Sequence, residues 1–355
     1  MRRLTVVQLL PALGNGGVER ATLEIATALV RAGHRSIVVS AGGRMLEDLL
    51  AAGSEHLTLA IGRKSPAVLA TVPRLRALLR QWKPDIVHAR SRLPAWIGHW
   101  ALRGLDPPPH FLTTVHGLNS PGRYSAVMTR GERVICVSDT VRRHVLEQWP
   151  RTPPERLLVI ERGLDPDRFP RQPPRARVAG VAQVLLPARG TRLKGHADAI
   201  QLLADLPAAG CPARLDLLGT REPGREAYSA ELEGRAADLG VAQAVRILPP
   251  VSDMASAYRD CDLVLQLSNR PEAYGRTVVE ALACGRPAVG WRLGGVGESL
   301  ARYFPAGSVP HGDRAALRDT TLSVLASPAP VPAIVAPTLA EMQANTLKVY
   351  ESIVA

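Results

Sequence analysis

Two carboxylates eight positions apart, Glu272 and Glu280, stand in the run Arg270-Pro-Glu272-Ala-Tyr274-Gly275-Arg-Thr277-Val-Val-Glu280-Ala-Leu-Ala-Cys284-Gly285-Arg-Pro287. The first falls in a loop after a strand-like segment, the second inside a helix that Gly275 opens. Carboxylates accept bonds from paired sugar hydroxyls, and backbone N–H groups at a helix start hold phosphate oxygens. Glu280 lies just over one turn beyond Thr277 and shares its face, so the two can address one ligand from the same side. A second cluster reads Pro187-Ala-Arg189-Gly-Thr-Arg192-Leu-Lys194-Gly195-His196. Arg189 and Lys194, in a loop ahead of a helix, can converge on a diphosphate, one as a planar fork and the other as a point charge. A third loop, Pro11-Ala-Leu-Gly14-Asn-Gly16-Gly17-Val-Glu19-Arg20, joins a strand to a long helix with an apolar face at Leu23, Ala26, Val30 and Leu29. Its glycines admit a phosphate to the helix N-terminus. Glu19 stands where a dinucleotide fingerprint needs its third glycine, and no acidic residue ends the second strand, so an NAD-dependent dehydrogenase is a poor reading.

The elements that must carry these loops follow a βαβα alternation of short β-branched or leucine-rich runs with longer amphipathic ones. The length of 355 residues favours two domains. Strands are expected at residues 4–10, 36–40, 56–60, 85–88, 110–115, 133–137 and 157–160. After the proline- and arginine-rich joint 170–177 they resume at 181–186, 214–218, 245–248, 263–267 and 287–290. The fold class is therefore α/β, with two Rossmann-like doubly wound domains, residues 1–168 and 169–337, facing across a cleft at the carboxyl ends of their strands. The last helix, 338–355, follows a proline-rich stretch, 327–337, and need not pack on the domain it follows.

The clusters together resemble the retaining glycosyltransferases of family 4, with the GT-B fold. Glu272 and Glu280 match the family's E-x7-E signature. Gly16-Gly17-Val-Glu19 is similar to its N-terminal glycine loop and Val115-His116-Gly117 to its cleft histidine. Gly163-Leu-Asp165-Pro-Asp-Arg-Phe169 resembles its end-of-domain motif, and Arg189 to Gly195 its Arg-x4-Lys-Gly. The resemblance implies that Glu272 binds donor-sugar hydroxyls, Glu280 the ribose, and Arg189 and Lys194 the departing diphosphate. It further implies that Gly16, Gly17 and the backbone at Tyr274, Gly275 and Thr277 close around phosphates and sugar, that His116 lines the cleft, and that the last helix crosses back to the N-terminal domain. Transfer from a nucleotide-diphosphate sugar, UDP-linked, to a membrane-associated glycan such as a lipopolysaccharide core would then proceed without metal or other cofactor. The rival readings are a sugar-nucleotide epimerase of the same fold and a non-catalytic glycan- or nucleotide-binding protein. Arg162 and Tyr274 depart from the family's usual Asn and Phe. Asp165-Pro-Asp167 and Asp260-Cys-Asp262 match a metal-binding DxD pattern but fall inside motifs with other jobs, so neither is expected to hold a metal.

Composition agrees with a globular protein: 46% of residues are apolar and 21% charged. No apolar stretch approaches the roughly 20 residues that cross a bilayer, and Met1-Arg2-Arg3 runs directly into a strand, so neither signal peptide nor span is expected. Four scattered cysteines without CxxC spacing give no disulfide framework or zinc site, and a reducing cytoplasm is the expected location. Residues 1–168 hold 24 Lys and Arg against 14 Asp and Glu, and the remainder 20 against 18. The basic first half attracts phosphate-bearing partners, although 40 arginines against 4 lysines also fits a coding bias. No nucleic-acid partner is expected. Arg90 and Arg92, after a strand, are candidates to touch an acidic acceptor. Arg76, Arg80 and Lys83, on one face of a helix whose seam is Val68, Val72, Leu75, Leu79 and Trp82, are candidates to rest peripherally on anionic lipid.

Overall fold

The computed structural model describes residues 2–14, 16–177, 180–326, 331 and 336–355. The chain divides into two compact units, residues 1–163 with 339–355, and residues 164–338. Among the described residues the first unit alternates β1 (Thr5–Leu9), α1 (Gly17–Arg31), β2 (Arg35–Ser40), α2 (Leu46–Ala51), β3 (Glu55–Thr58), α3 (Thr71–Trp82), β4 (Ile86–Ala89), α4 (Arg92–Leu102), β5 (His110–Val115), β6 (Arg133–Cys136), α5 (Asp139–Gln148) and β7 (Leu157–Val159). Its strands form one parallel sheet in the order β3-β2-β1-β4-β5-β6-β7. The second unit holds β8 (Ala182–Pro187), α6 (His196–Asp205), β9 (Ala213–Leu218), α7 (Glu226–Asp238), β10 (Val245–Leu248), α8 (Met254–Arg259), β11 (Leu263–Gln266), α9 (Arg276–Ala283), β12 (Ala288–Trp291), α10 (Gly294–Tyr303), β13 (Ser308–Val309) and α11 (Arg314–Ala326). Its parallel sheet runs β10-β9-β8-β11-β12-β13. In both orders the chain starts in the middle and reverses direction once, which opens a ligand crevice beyond the carboxyl ends of the central strands.

Central strands covered on both faces become uninterrupted apolar runs, and β4 and β11 are buried at every position. The last helix, α12 (Leu339–Val354), belongs to the first unit: Met342, Val349 and Tyr350 join Leu4, Val6, Ile25 and Leu29 in one core. This second neighbour widens the buried face of α1 to Ile25, beside the expected Leu23, Ala26 and Leu29, while Val30, also expected on that face, is half-buried. The expected boundary at 168/169 needs correction. Leu164 pairs with Thr338, and Phe169 enters the core of the second unit with Tyr258 and Leu282, so 164–168 leave the first unit. Residues 170–177 lack regular structure yet are pinned, Arg175 to Asp262 at 3.1 Å and Arg177 to the Leu325 carbonyl at 2.6 Å.

Two cations on the basic face of α3 also bind backbone within the first unit, while Arg80 and Lys83 remain exposed. Arg76 donates to the carbonyls of Trp100 and Ala101 at 2.8 and 3.0 Å, and Arg80 to that of Gly104 at 2.8 Å. These carbonyls lie at and just beyond the end of α4, where the negative end of the helix dipole and unpaired acceptors draw cations. Among the described residues no helix is long and apolar enough to cross a membrane.

Candidate active site

Two close backbone approaches build the centre of the second unit. Gly195 has φ +75°, and a Cβ there would lie 2.6 Å from the Cβ of Leu267; Asn269 N–H donates to the Leu193 carbonyl at 2.8 Å. The loop after β8 is thereby laid over the end of β11, and Lys194 Nζ reaches Glu272 Oε1 at 2.5 Å. Ser268 Oγ and Gln266 Nε2 also donate to Oε1, the latter at 3.2 Å. All three donors converge on one oxygen, which anchors Oε1 and, among the described residues, leaves Oε2 without a protein donor. Lys194 and Glu272, which the sequence reading assigned separately to the diphosphate and to the sugar, lie side by side. Arg189 is exposed on the same loop, and among the described residues its side chain has no hydrogen-bond or ion-pair partner.

The second approach joins the Glu272 loop to α10. Glu272 bridges Gly294, and Gly295 N–H donates to the Glu272 carbonyl at 2.7 Å. A Cβ on Gly295 would lie 2.6 Å from Tyr274 Cα, and one on Gly275 would lie 2.7 Å from Ser299 Oγ. Reading the sequence passed over this Gly294-Gly-Val-Gly297 run, although glycines opening a helix after a strand are a visible signal of close backbone contact. Gly295→Ala is expected to destabilise the protein by about 1–3 kcal/mol and to weaken nucleotide binding by displacing the loop. The control Gly234→Ala, in α7 with open space around it, should instead stabilise by about 0.5–1 kcal/mol. Urea midpoints for the two variants check the opposite signs.

Gly275 caps α9, and Glu280 sits within that helix, 8% exposed. Its Oε1 accepts from Arg276 Nε at 2.6 Å and its Oε2 from the Tyr258 hydroxyl at 3.0 Å. Neither partner was singled out in the sequence: Tyr258 lies 22 residues away on α8, whereas the i,i+4 spacing of Arg276 was a signal that could have found it. Asp262 has a structural role: its Oδ2 accepts from Gln183 N–H at 2.7 Å and from Arg175. Asp165 Oδ1 accepts from Asp167 N–H at 3.1 Å.

In the first unit Gly16 is the N-cap of α1 and packs against the Glu19 carboxylate, while Gly17 opens onto free space; Asn15 lies outside the described residues. His116 follows β5. Its Nε2 is buried without a hydrogen-bond partner among the described residues, and it lines a cavity of about 20 Å³ with Arg90, Thr114 and Arg162, room for one water. Burial, then the neighbouring Arg90 and Arg162, hold its pKa well below 6.5, so the ring is neutral. Arg90 is not a surface contact: it is 4% exposed, and its Nε donates to Gln8 Oε1 at 2.9 Å. A cation carried on the last residues of a buried strand turns into the core when a polar partner waits there, and Gln8 of β1 is that partner. Arg92 is half-buried and donates to Ser120 and Ser125 at 3.2 Å, its guanidinium over the Tyr124 ring.

A family model described as Glycosyltransferase Family 4 matches residues 15–168, and one described as Glycosyl transferases group 1 matches residues 173–345. A glycosyltransferase from Rickettsia africae of known structure is 25% identical, with a TM-score of 0.85 over 99% of each chain. Anabaena HepE, solved with UDP and glucose, is 20% identical, with a TM-score of 0.80 over 99% of this chain and 100% of that one. The D-inositol 3-phosphate glycosyltransferase of Acidothermus cellulolyticus is 29% identical over 262 residues, which cover 65% of this chain and 57% of that protein. The chain spans about half the length of the curated inositol 3-phosphate enzymes it matches. With both halves matched in order and the E-x7-E carboxylates set at the carboxyl ends of a doubly wound sheet, the chain belongs to the family 4 glycosyltransferases of the GT-B fold.

Proposed function

We propose that the protein is a retaining glycosyltransferase that moves a sugar from a nucleotide-diphosphate donor, UDP-linked, to a membrane-associated glycan or glycolipid such as a lipopolysaccharide core. The observation that carries the reading is the Lys194–Glu272 pair at 2.5 Å, beside the N-terminus of α9. A cation next to a sugar-binding carboxylate suits a reaction whose main demand is to stabilise a leaving diphosphate. Lys194, the exposed Arg189 and the first N–H groups of α9 supply that stabilisation without a metal. Glu272 Oε2 orients the sugar and Glu280 the ribose. HepE, of the same fold, was solved with UDP and glucose, which supports the UDP-sugar. The basic first half supports an anionic acceptor.

A thermal-shift screen of UDP-, GDP- and ADP-sugars tests the donor, since a ligand that binds only the folded state raises Tm. A UDP-sugar should give the largest rise, and Glu280→Gln should weaken that binding about tenfold or more. An undiminished response in E280Q would remove the site assignment, and conversion of the free sugar nucleotide without acceptor would replace transfer by epimerisation.

A further inference from the structure

We infer that Tyr258 is a positioning residue for the donor's ribose: its buried hydroxyl holds the Glu280 carboxylate in the orientation that accepts the ribose hydroxyls. The inference rests on the assignment of Glu280 to the ribose proposed above. A carboxylate's terminal torsion is broad and weakly restrained on its own. Glu280 is restrained by two donors on different oxygens, the Tyr258 hydroxyl on Oε2 at 3.0 Å and Arg276 Nε on Oε1 at 2.6 Å.

The two donors are not equivalent. The Arg276 side chain is 38% exposed on the first turn of α9, and holding a long exposed side chain in one geometry costs it rotamer entropy. Tyr258 is 1% exposed and locked from several sides. Its ring lies 6.2 Å from that of Phe169, and its carbonyl accepts from Arg286 Nε at 3.0 Å. Burial, then Glu280, push the phenol well above its ordinary pKa of 10, so it stays a donor. The orientation of Glu280 that survives rearrangement of Arg276 is therefore the one Tyr258 sets. A carboxylate offers about four lone-pair positions. With one on each oxygen engaged from within the protein, one on each oxygen remains for a pair of vicinal hydroxyls. A ribose carries such a pair.

The test is calorimetric binding of whichever of UDP, GDP and ADP raises Tm most, against its deoxyribose counterparts. The wild type should prefer the ribose form by about tenfold. Glu280→Gln should bring that preference close to one. Tyr258→Phe, which keeps the ring and removes only the hydroxyl, should cut the preference about fivefold while leaving affinity for the deoxyribose form unchanged. A purely structural role would weaken both forms alike. Tyr258→Met serves if the Phe variant does not fold. A wild-type preference retained in a folded Tyr258 variant overturns the proposal while leaving the ribose assignment intact. A preference retained in E280Q overturns the assignment itself, and with it the role of Tyr258.

Discussion

Lys194→Ala is expected to lower turnover of the sugar donor by about a hundred- to a thousandfold, the range seen when one stabiliser of a developing anion is removed. Stability should hardly change. Both partners of the Lys194–Glu272 pair have about a quarter of their side-chain surface exposed, and such a pair contributes about 1 kcal/mol or less. Glu272 also keeps its bonds from Ser268 and Gln266. A large loss of rate with an unmoved Tm is thus the signature of a cation that acts on the leaving group. Arg192→Ala is the matched control: the same loop, but a side chain paired with Glu231 and laid over Tyr228. It should stay within about twofold of wild type, the scale of a solvent-exposed ion pair. Initial rates of nucleotide release decide the matter, and near-normal rates in K194A would remove Lys194 from catalysis.

The second large effect is acid destabilisation. His196 is fully buried at the start of α6, its ring bonded to the Thr220 hydroxyl at 2.9 Å and facing Tyr228. Burial drives its pKa from 6.5 down to about 4, against a smaller opposing pull from the backbone at Ala188 and Thr191. Because the folded value lies below the unfolded one, the folded state binds fewer protons between them. The contribution is complete above pH 6.5 and is lost as pH falls toward 4. That gap corresponds to about 3 kcal/mol. His88, buried between Tyr350 and Thr114, and His116 are depressed by burial in the same direction and add to the loss. Urea midpoints at about pH 7 and pH 5 should therefore separate clearly, and His196→Gln should flatten the acid limb. Equal midpoints across that interval would show that the histidines accept protons without leaving their sites.

How much of this was legible depends on how far apart the interacting residues lie. The glycine-opened helix that carries Glu280, the cationic loop after β8 and the alternation of strand and helix are each local to one strand-loop-helix unit. Spacing alone reveals them. Strands buried on both faces announce themselves as apolar runs, whereas β13 has only two residues, Ser308–Val309, too few to show any pattern. Periodicity identified the faces of α1 and α3 but not their neighbours, which is why the bonds of Arg76 and Arg80 to carbonyls at and just beyond the end of α4 were not foreseen. Arg90 likewise read as a surface residue, because nothing near it in the chain shows that Gln8 waits across the sheet.

The amino-acid sequence by itself determined the fold class, the two-part organisation and the family motifs that carry the proposed site, since these follow from local composition and spacing. Only the tertiary structure decided what those side chains touch. Lys194 meets Glu272 across 78 residues, Tyr258 meets Glu280 from another helix, and Gly295 lets α10 press on the Glu272 loop. Orientation and burial are properties of packed neighbours, and a linear chain does not carry the coordinates of its neighbours until the apolar cores of both units have closed.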